Sequence, residues 1–199
     1  MKKLLTSTVF SLTLLATNIH ADEIEISPVV VLGVTYGGDT LADVELDDFP
    51  DEKIKAGNLF YIGGGVNFKQ PESPWSIQAN LAYHFDYTEG DLEDSIQDIE
   101  VTFDRIVVEL IPYYQIDEKQ SVGVGIFKAF DTEFLLEIEN APDTSIEFDS
   151  DTGFLAEWGY HFSEDNMLSV RYAYTEFEAK DTKNKFDGDY IGAFVQWRF

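Results

Sequence analysis

The 199-residue sequence contains no cysteine. Disulfide staples, thiolate metal sites and a cysteine nucleophile are therefore excluded, and stability has to come from the fold itself. Basic residues are scarce: 13 Lys and Arg stand against 38 Asp and Glu, a formal net charge of −25. Binding a phosphate backbone needs clustered Lys and Arg, so nucleic acid is excluded as a partner, and the field favours cations and basic surfaces instead. Also missing, beyond residue 21, is any run near the roughly 20 apolar residues that a transmembrane helix requires. Any membrane crossing has to be made by strands closed into a barrel, the other structure that satisfies every backbone polar group in hydrocarbon.

What is present begins with a secretory signal over residues 1–21. Lys2 and Lys3 precede an apolar stretch from Leu4 to Leu15, and Ala21 stands before the acidic Asp22-Glu23. Its cleavage leaves residues 22–199 as a single barrel domain beyond the inner membrane. Lys2 and Lys3 leave with it, which moves the charge from −25 to −27.

Eight stretches of the remainder alternate with a period of two, and they predict strands at 27–36, 59–68, 74–87, 101–116, 121–130, 152–162, 167–177 and 188–199. Lengths near ten residues suit tilted membrane strands. From Trp75 to Tyr87 one face carries Trp75, Ile77, Ala79, Leu81, Tyr83, Phe85 and Tyr87, the other Ser76, Gln78, Asn80, Ala82, His84 and Asp86. Alternation alone fits a membrane barrel or a soluble one, which differ in the face turned inward. Aromatic residues near strand ends (Tyr36, Trp75, Phe162, Tyr174, Trp197, Phe199) match interfacial girdles. Sparse charges on the polar face (Arg105, Glu109, Glu157, Arg171, Arg198) match a lumen, since an Arg at mid-depth in lipid costs about 2–4 kcal/mol. Connections at 69–73, 117–120 and 163–166 are tight, whereas 37–58, 88–100, 131–151 and 178–187 are long. Short periplasmic turns and long outer loops, with both termini periplasmic, account for this pattern. Two positions sit awkwardly: Lys128 on an apolar face, where it would snorkel to the interface, and Pro112, where a bulge is expected.

The fold class expected is therefore all-β, an eight-stranded antiparallel up-and-down transmembrane barrel with long acidic outer loops. At the C-terminus Ile191, Ala193, Val195, Trp197 and Phe199 place apolar residues at every second position and end on Phe. This resembles the assembly signal of outer-membrane barrels, and the chain resembles the OmpA-like and OmpX-like small-barrel superfamily. The resemblance implies an outer-membrane location, with barrel assembly machinery and periplasmic chaperones as partners during biogenesis. It implies no single activity, because fold does not settle function.

Several constellations bear on function. The long connections hold most of the acidic residues and five lysines. Their densest run includes Asp43, Glu45, Asp47 and Asp48, oxygen ligands suited to hard divalent cations but without the central Gly and distal Glu of a calcium loop. The expectation is no resident cofactor, with Ca2+ or Mg2+ held loosely at the outer loops beside lipopolysaccharide. In the lumen, His84, Asp86, Arg105, Glu109, Glu157, His161 and Arg171 form a polar set read as an ion-paired plug, because eight strands enclose a space that side chains fill. A narrow channel for small or hydrophobic solutes is the alternative, with Gly63-Gly64-Gly65, Gly123 and Gly125 leaving room. His161-Phe162-Ser163-Glu164 resembles the His-x-Ser of lipid A deacylases, but Ser163 begins a turn and no second His or matched acidic partner is placed for orientation. The function expected is a monomeric anchor presenting acidic loops for surface contacts, not an enzyme.

Overall fold

The computed structural model describes residues 24–44, 52–91 and 98–199; the signal segment 1–21 lies outside them. β1 (Glu25–Tyr36) leads through the hairpin of β2 (Thr40–Val44) and β3 (Glu52–Lys55) into β4 (Leu59–Lys69) and β5 (Trp75–Asp91). β6 (Asp98–Gln115) and β7 (Gln120–Ile138) follow, then β8 (Thr144–Ser150) and β9 (Thr152–His161). β10 (Asn166–Tyr174), β11 (Glu176–Ala179), β12 (Lys185–Asp187) and β13 (Tyr190–Arg198) complete the chain. Eight of these close antiparallel in the order β1-β4-β5-β6-β7-β9-β10-β13, with β13 returning to β1.

The facing is that of a membrane barrel. Outward Val124 is 66% exposed while inward Arg171 is 0% exposed, and the same contrast runs through every barrel strand. Burying a guanidinium while exposing valine is favourable only where hydrocarbon replaces water outside. Outward aromatics collect near both ends, among them Trp75 edge-on to Tyr114 at 4.9 Å between ring centroids. The three tight turns lie at one end. In one, Ile116 N–H donates to Gln120 O at 2.8 Å and the Asp117 carboxylate accepts from the Lys119 and Gln120 amides.

Four expectations need correction. The strand expected to stop at 130 continues to Ile138, because a bulge between Asp104 and Ile106 of β6 inserts a residue at Asp131 (φ 48°) of β7. The insertion flips the inward parity from Phe127 and Ala129 to Thr132 and Phe134, so a strict period of two ends where the strand does not. The strand expected over 167–177 breaks after Tyr174, and β11 pairs with β8 instead of β9. The long connections are not loops throughout, since they contain β2, β3, β8, β11, β12 and the upper ends of β5, β6 and β7. Pro112 causes no bulge: Leu110↔Ile126 and Tyr113↔Gly123 keep one register across it. Lys128 faces outward between Val108 and Thr152, as snorkelling requires.

Above the bulge the polarity of the strands inverts. β6 has apolar residues outward at Ile106, Val108 and Leu110 but inward at Ile99, Val101 and Phe103. In β8 and β11, Phe148, Phe177 and Ala179 turn inward while Glu147 and Glu178 do not. The protein thus has two storeys: a membrane barrel with a polar lumen, and a rim organised like a soluble barrel around an apolar core. Ile54 and Ala56 of the β3 region insert into that rim core. The hairpin is latched by Asp39, whose amide donates to Asp187 O at 2.8 Å and whose carboxylate accepts from Asp187 N–H at 2.9 Å.

Candidate functional site

The lumenal residues fall into three places. At mid-barrel, Arg171 from β10 donates through Nη1 to Glu109 Oε1 of β6 and through Nε to Glu157 Oε2 of β9, each at 2.7 Å. Both carboxylates are further satisfied. Asn80 Nδ2 donates to Glu109 Oε2 at 3.0 Å, while Tyr113 Oη and Gln196 Nε2 donate to Glu157 Oε1 at 2.8 and 2.7 Å. Gln78 links the two sides by donating to Gln196 Oε1 at 2.9 Å. Arg171 Nη2 has no hydrogen-bond acceptor among the described residues, but its guanidinium lies over Phe194 at 4.3 Å and Tyr61 at 5.6 Å, faces that attract a cation.

One layer higher, Arg105 Nη2 donates to His84 Nδ1 at 2.8 Å. Arginine has no acceptor, so the His84 proton sits on Nε2 and is donated to Thr35 Oγ1, also at 2.8 Å. The guanidinium is cushioned by Phe103 at 5.0 Å and Phe177 at 5.2 Å, which places Arg105 between the polar lumen and the rim core. Asp86 forms no ion pair within 4 Å among the described residues; it accepts the Lys55 amide at 3.3 Å and so pins β3. His161 stands apart, near the turns, with Nε2 3.0 Å from Ser121 Oγ. Ser163 is exposed and its Oγ accepts from Asn166 Nδ2 at 2.7 Å, so the two ends of His-x-Ser are engaged separately.

Of the glycines expected to leave room, Gly63, Gly65, Gly123 and Gly125 are tightly packed, and Gly64 alone has ordinary clearance. A Cβ on Gly65 would collide with the Ala79 carbonyl oxygen, and one on Gly123 would come within 2.7 Å of the Tyr113 ring. A sequence reading misses Tyr61, Tyr113 and Phe194 as lumenal, because it assigns aromatics to the lipid face. Tyr61 shares the odd inward parity of Asn67 on β4 and Tyr113 that of Arg105 on β6, whereas Phe194 lies with Gln196 on the even inward face of β13.

On the wall, Ile191, Ala193, Val195, Trp197 and Phe199 of the terminal motif all occupy the outward parity. Of the acidic run, Asp43 lies in β2 and Glu45, Asp47 and Asp48 fall outside the described residues. Among the described residues no three His, Asp or Glu are grouped to hold a metal. At the rim, exposed ion pairs join Lys180 to Glu147 at 2.8 Å and Lys183 to Glu178 at 3.2 Å. Lys180 holds the Glu147 carboxyl below its ordinary range by donating a hydrogen bond to the charged form.

The sequence matches the family described as outer membrane protein beta-barrel domain over residues 8–199. No curated protein matches it. Among solved structures it is similar to the attachment invasion locus protein Ail of Yersinia pestis, in complex with the heparin analogue sucrose octasulfate. The identity is 15%, over 89% of this chain and 99% of that one, with a TM-score of 0.54. Neisserial surface protein A is 11% identical over 87% and 97%, with a TM-score of 0.49. The outer membrane protease OmpT of Escherichia coli is 10% identical over 92% and 99%, with a TM-score of 0.40. At these identities the likeness is one of fold.

Proposed function

Because the chain belongs to the outer membrane protein β-barrel domain family, we propose that its barrel is a closed anchor holding a folded, acidic rim at the cell surface. The filled lumen carries this reading. Arg171, Glu109, Gln78 and Gln196 are all fully buried across the barrel, and the rim core lies above them. In this reading the tight turns and both termini lie on the periplasmic side and the rim faces outward, where its carboxylates meet divalent cations, lipopolysaccharide or basic surfaces. A sulfated sugar of the kind bound to the Yersinia protein is not the expected partner, because this rim would repel it.

Two measurements test the proposal. Bacteria displaying the protein should adhere to a polylysine-coated surface several-fold better than bacteria lacking it, with the gain lost at high salt through screening. Equal adhesion would remove the surface-contact reading. In planar bilayers the refolded protein should be silent; steady discrete openings would favour a narrow channel and make Arg105 and Glu109 candidates for its gate.

A further inference from the structure

Beneath the level where polarity inverts, the outward wall of β4, β1 and β13 carries an apolar groove of about 520 Å³. Its floor is Ala193, a small residue between the larger outward Ile191 and Val195, and its sides are Leu32, Val34, Phe60 and Ile62. Two residues above Val34 on the same face, roughly 7 Å along the strand, stands Tyr36. There Lys55 Nζ hydrogen-bonds the Tyr36 hydroxyl at 3.1 Å and lies 4.3 Å from the ring centroid. The lysine is not a free surface side chain. Its own amide is tied to Asp86, and Ile54 and Ala56 on either side are buried in the rim core. Although the chain is strongly acidic, no carboxylate among the described residues lies within 4 Å of that ammonium.

We propose that this groove and Lys55 form a site for one lipid A molecule, an acyl chain lying on Ala193 and a phosphate oxygen meeting Lys55 Nζ and Tyr36 Oη. The groove opens onto the hydrocarbon, so its occupant is apolar over that length. A positioned cation at the water boundary directly above, with no carboxylate of the described residues within 4 Å, selects an anionic head. The choice of lipid A over an anionic phospholipid rests on the proposed outward rim, which puts the groove in the outer leaflet.

The test is native mass spectrometry of the refolded full chain, incubated with lipid A or with phosphatidylglycerol in detergent. Wild type should retain one lipid A. Lys55→Glu should lower retention about tenfold or more by charge reversal, the equivalent of roughly 1.4 kcal/mol, and Lys55→Arg should restore it. Ala193→Phe should abolish retention by filling the floor, while Val124→Phe, the same ring added outward on β7, should leave it unchanged. Heat-modifiable mobility checks that each variant has folded. Equal retention across the variants, or preference for phosphatidylglycerol, would overturn the site. The readout needs no rim partner, so failure of polylysine adhesion leaves it standing.

Discussion

Arg171→Met should destabilise the barrel by about 3–5 kcal/mol, read as a lowered denaturant midpoint of the refolded protein in micelles. The size follows from what remains after the substitution. Glu109 on β6 and Glu157 on β9, either side of β7, have fully buried side chains and share Arg171 as their cation, so its loss leaves two carboxylates without a counter-charge in a space closed to water. Methionine fills much of the volume but supplies no donor. A triple variant, Glu109→Gln, Glu157→Gln and Arg171→Met, should recover most of the loss. The Gln amide oxygens still accept from Asn80, Tyr113 and Gln196, and no charge is left at these three positions. If the triple variant is no better than the single one, the charge is not the cause and packing of the guanidinium against Phe194 becomes the explanation. Lys180→Ala, which breaks an exposed pair, should shift the midpoint too little to resolve.

That contrast bears on what the sequence makes legible. The membrane storey was readable because hydrocarbon imposes one rule on every strand. Polar residues at inward positions, as in Gln78, Asn80, Glu157 and Arg171, cannot be exchanged with their outward neighbours without a large penalty. The rim was not readable as structure, because its strands obey the opposite rule in short pieces, with Phe148 between Glu147 and Asp149 and Phe177 between Glu176 and Glu178. Averaged over a loop-length window the β8 segment reads as an acidic connection, and the β11 segment is divided between an expected strand and an expected connection. The bulge at Asp131 hides the junction further by changing parity at the very place where polarity inverts. The lumenal residues were identifiable one by one from parity, but their partners were not. Arg105 and Glu109 appear as neighbours on β6, whereas Glu109 reaches across the lumen to Arg171 of β10 and Arg105 bonds His84, its register partner on β5.

Phe103→Ala tests whether the two storeys are separable. Phe103 is fully buried, with its ring edge-on to Phe148 and Phe177, each at 5.7 Å between centroids, and it cushions Arg105 from above. Truncating such a side chain costs about 3–5 kcal/mol in a core that cannot collapse around the cavity. The lower barrel does not depend on that core, since its strands are paired around the full circle and its lumen is held by Arg171. The loss should therefore appear as local opening of the rim. Tryptic cleavage after Lys55, whose neighbours Ile54 and Ala56 leave the core only when the rim opens, should accelerate by two to three orders of magnitude. Heat-modifiable mobility of the barrel should stay unchanged. Phe130→Ala removes the same ring from an outward position on β7 and should leave cleavage at Lys55 near the wild-type rate. Should Phe103→Ala instead unfold rim and barrel together, the two storeys would be one cooperative unit. Arg105, bridging the lumen to the aromatic layer, would then be the residue that couples them.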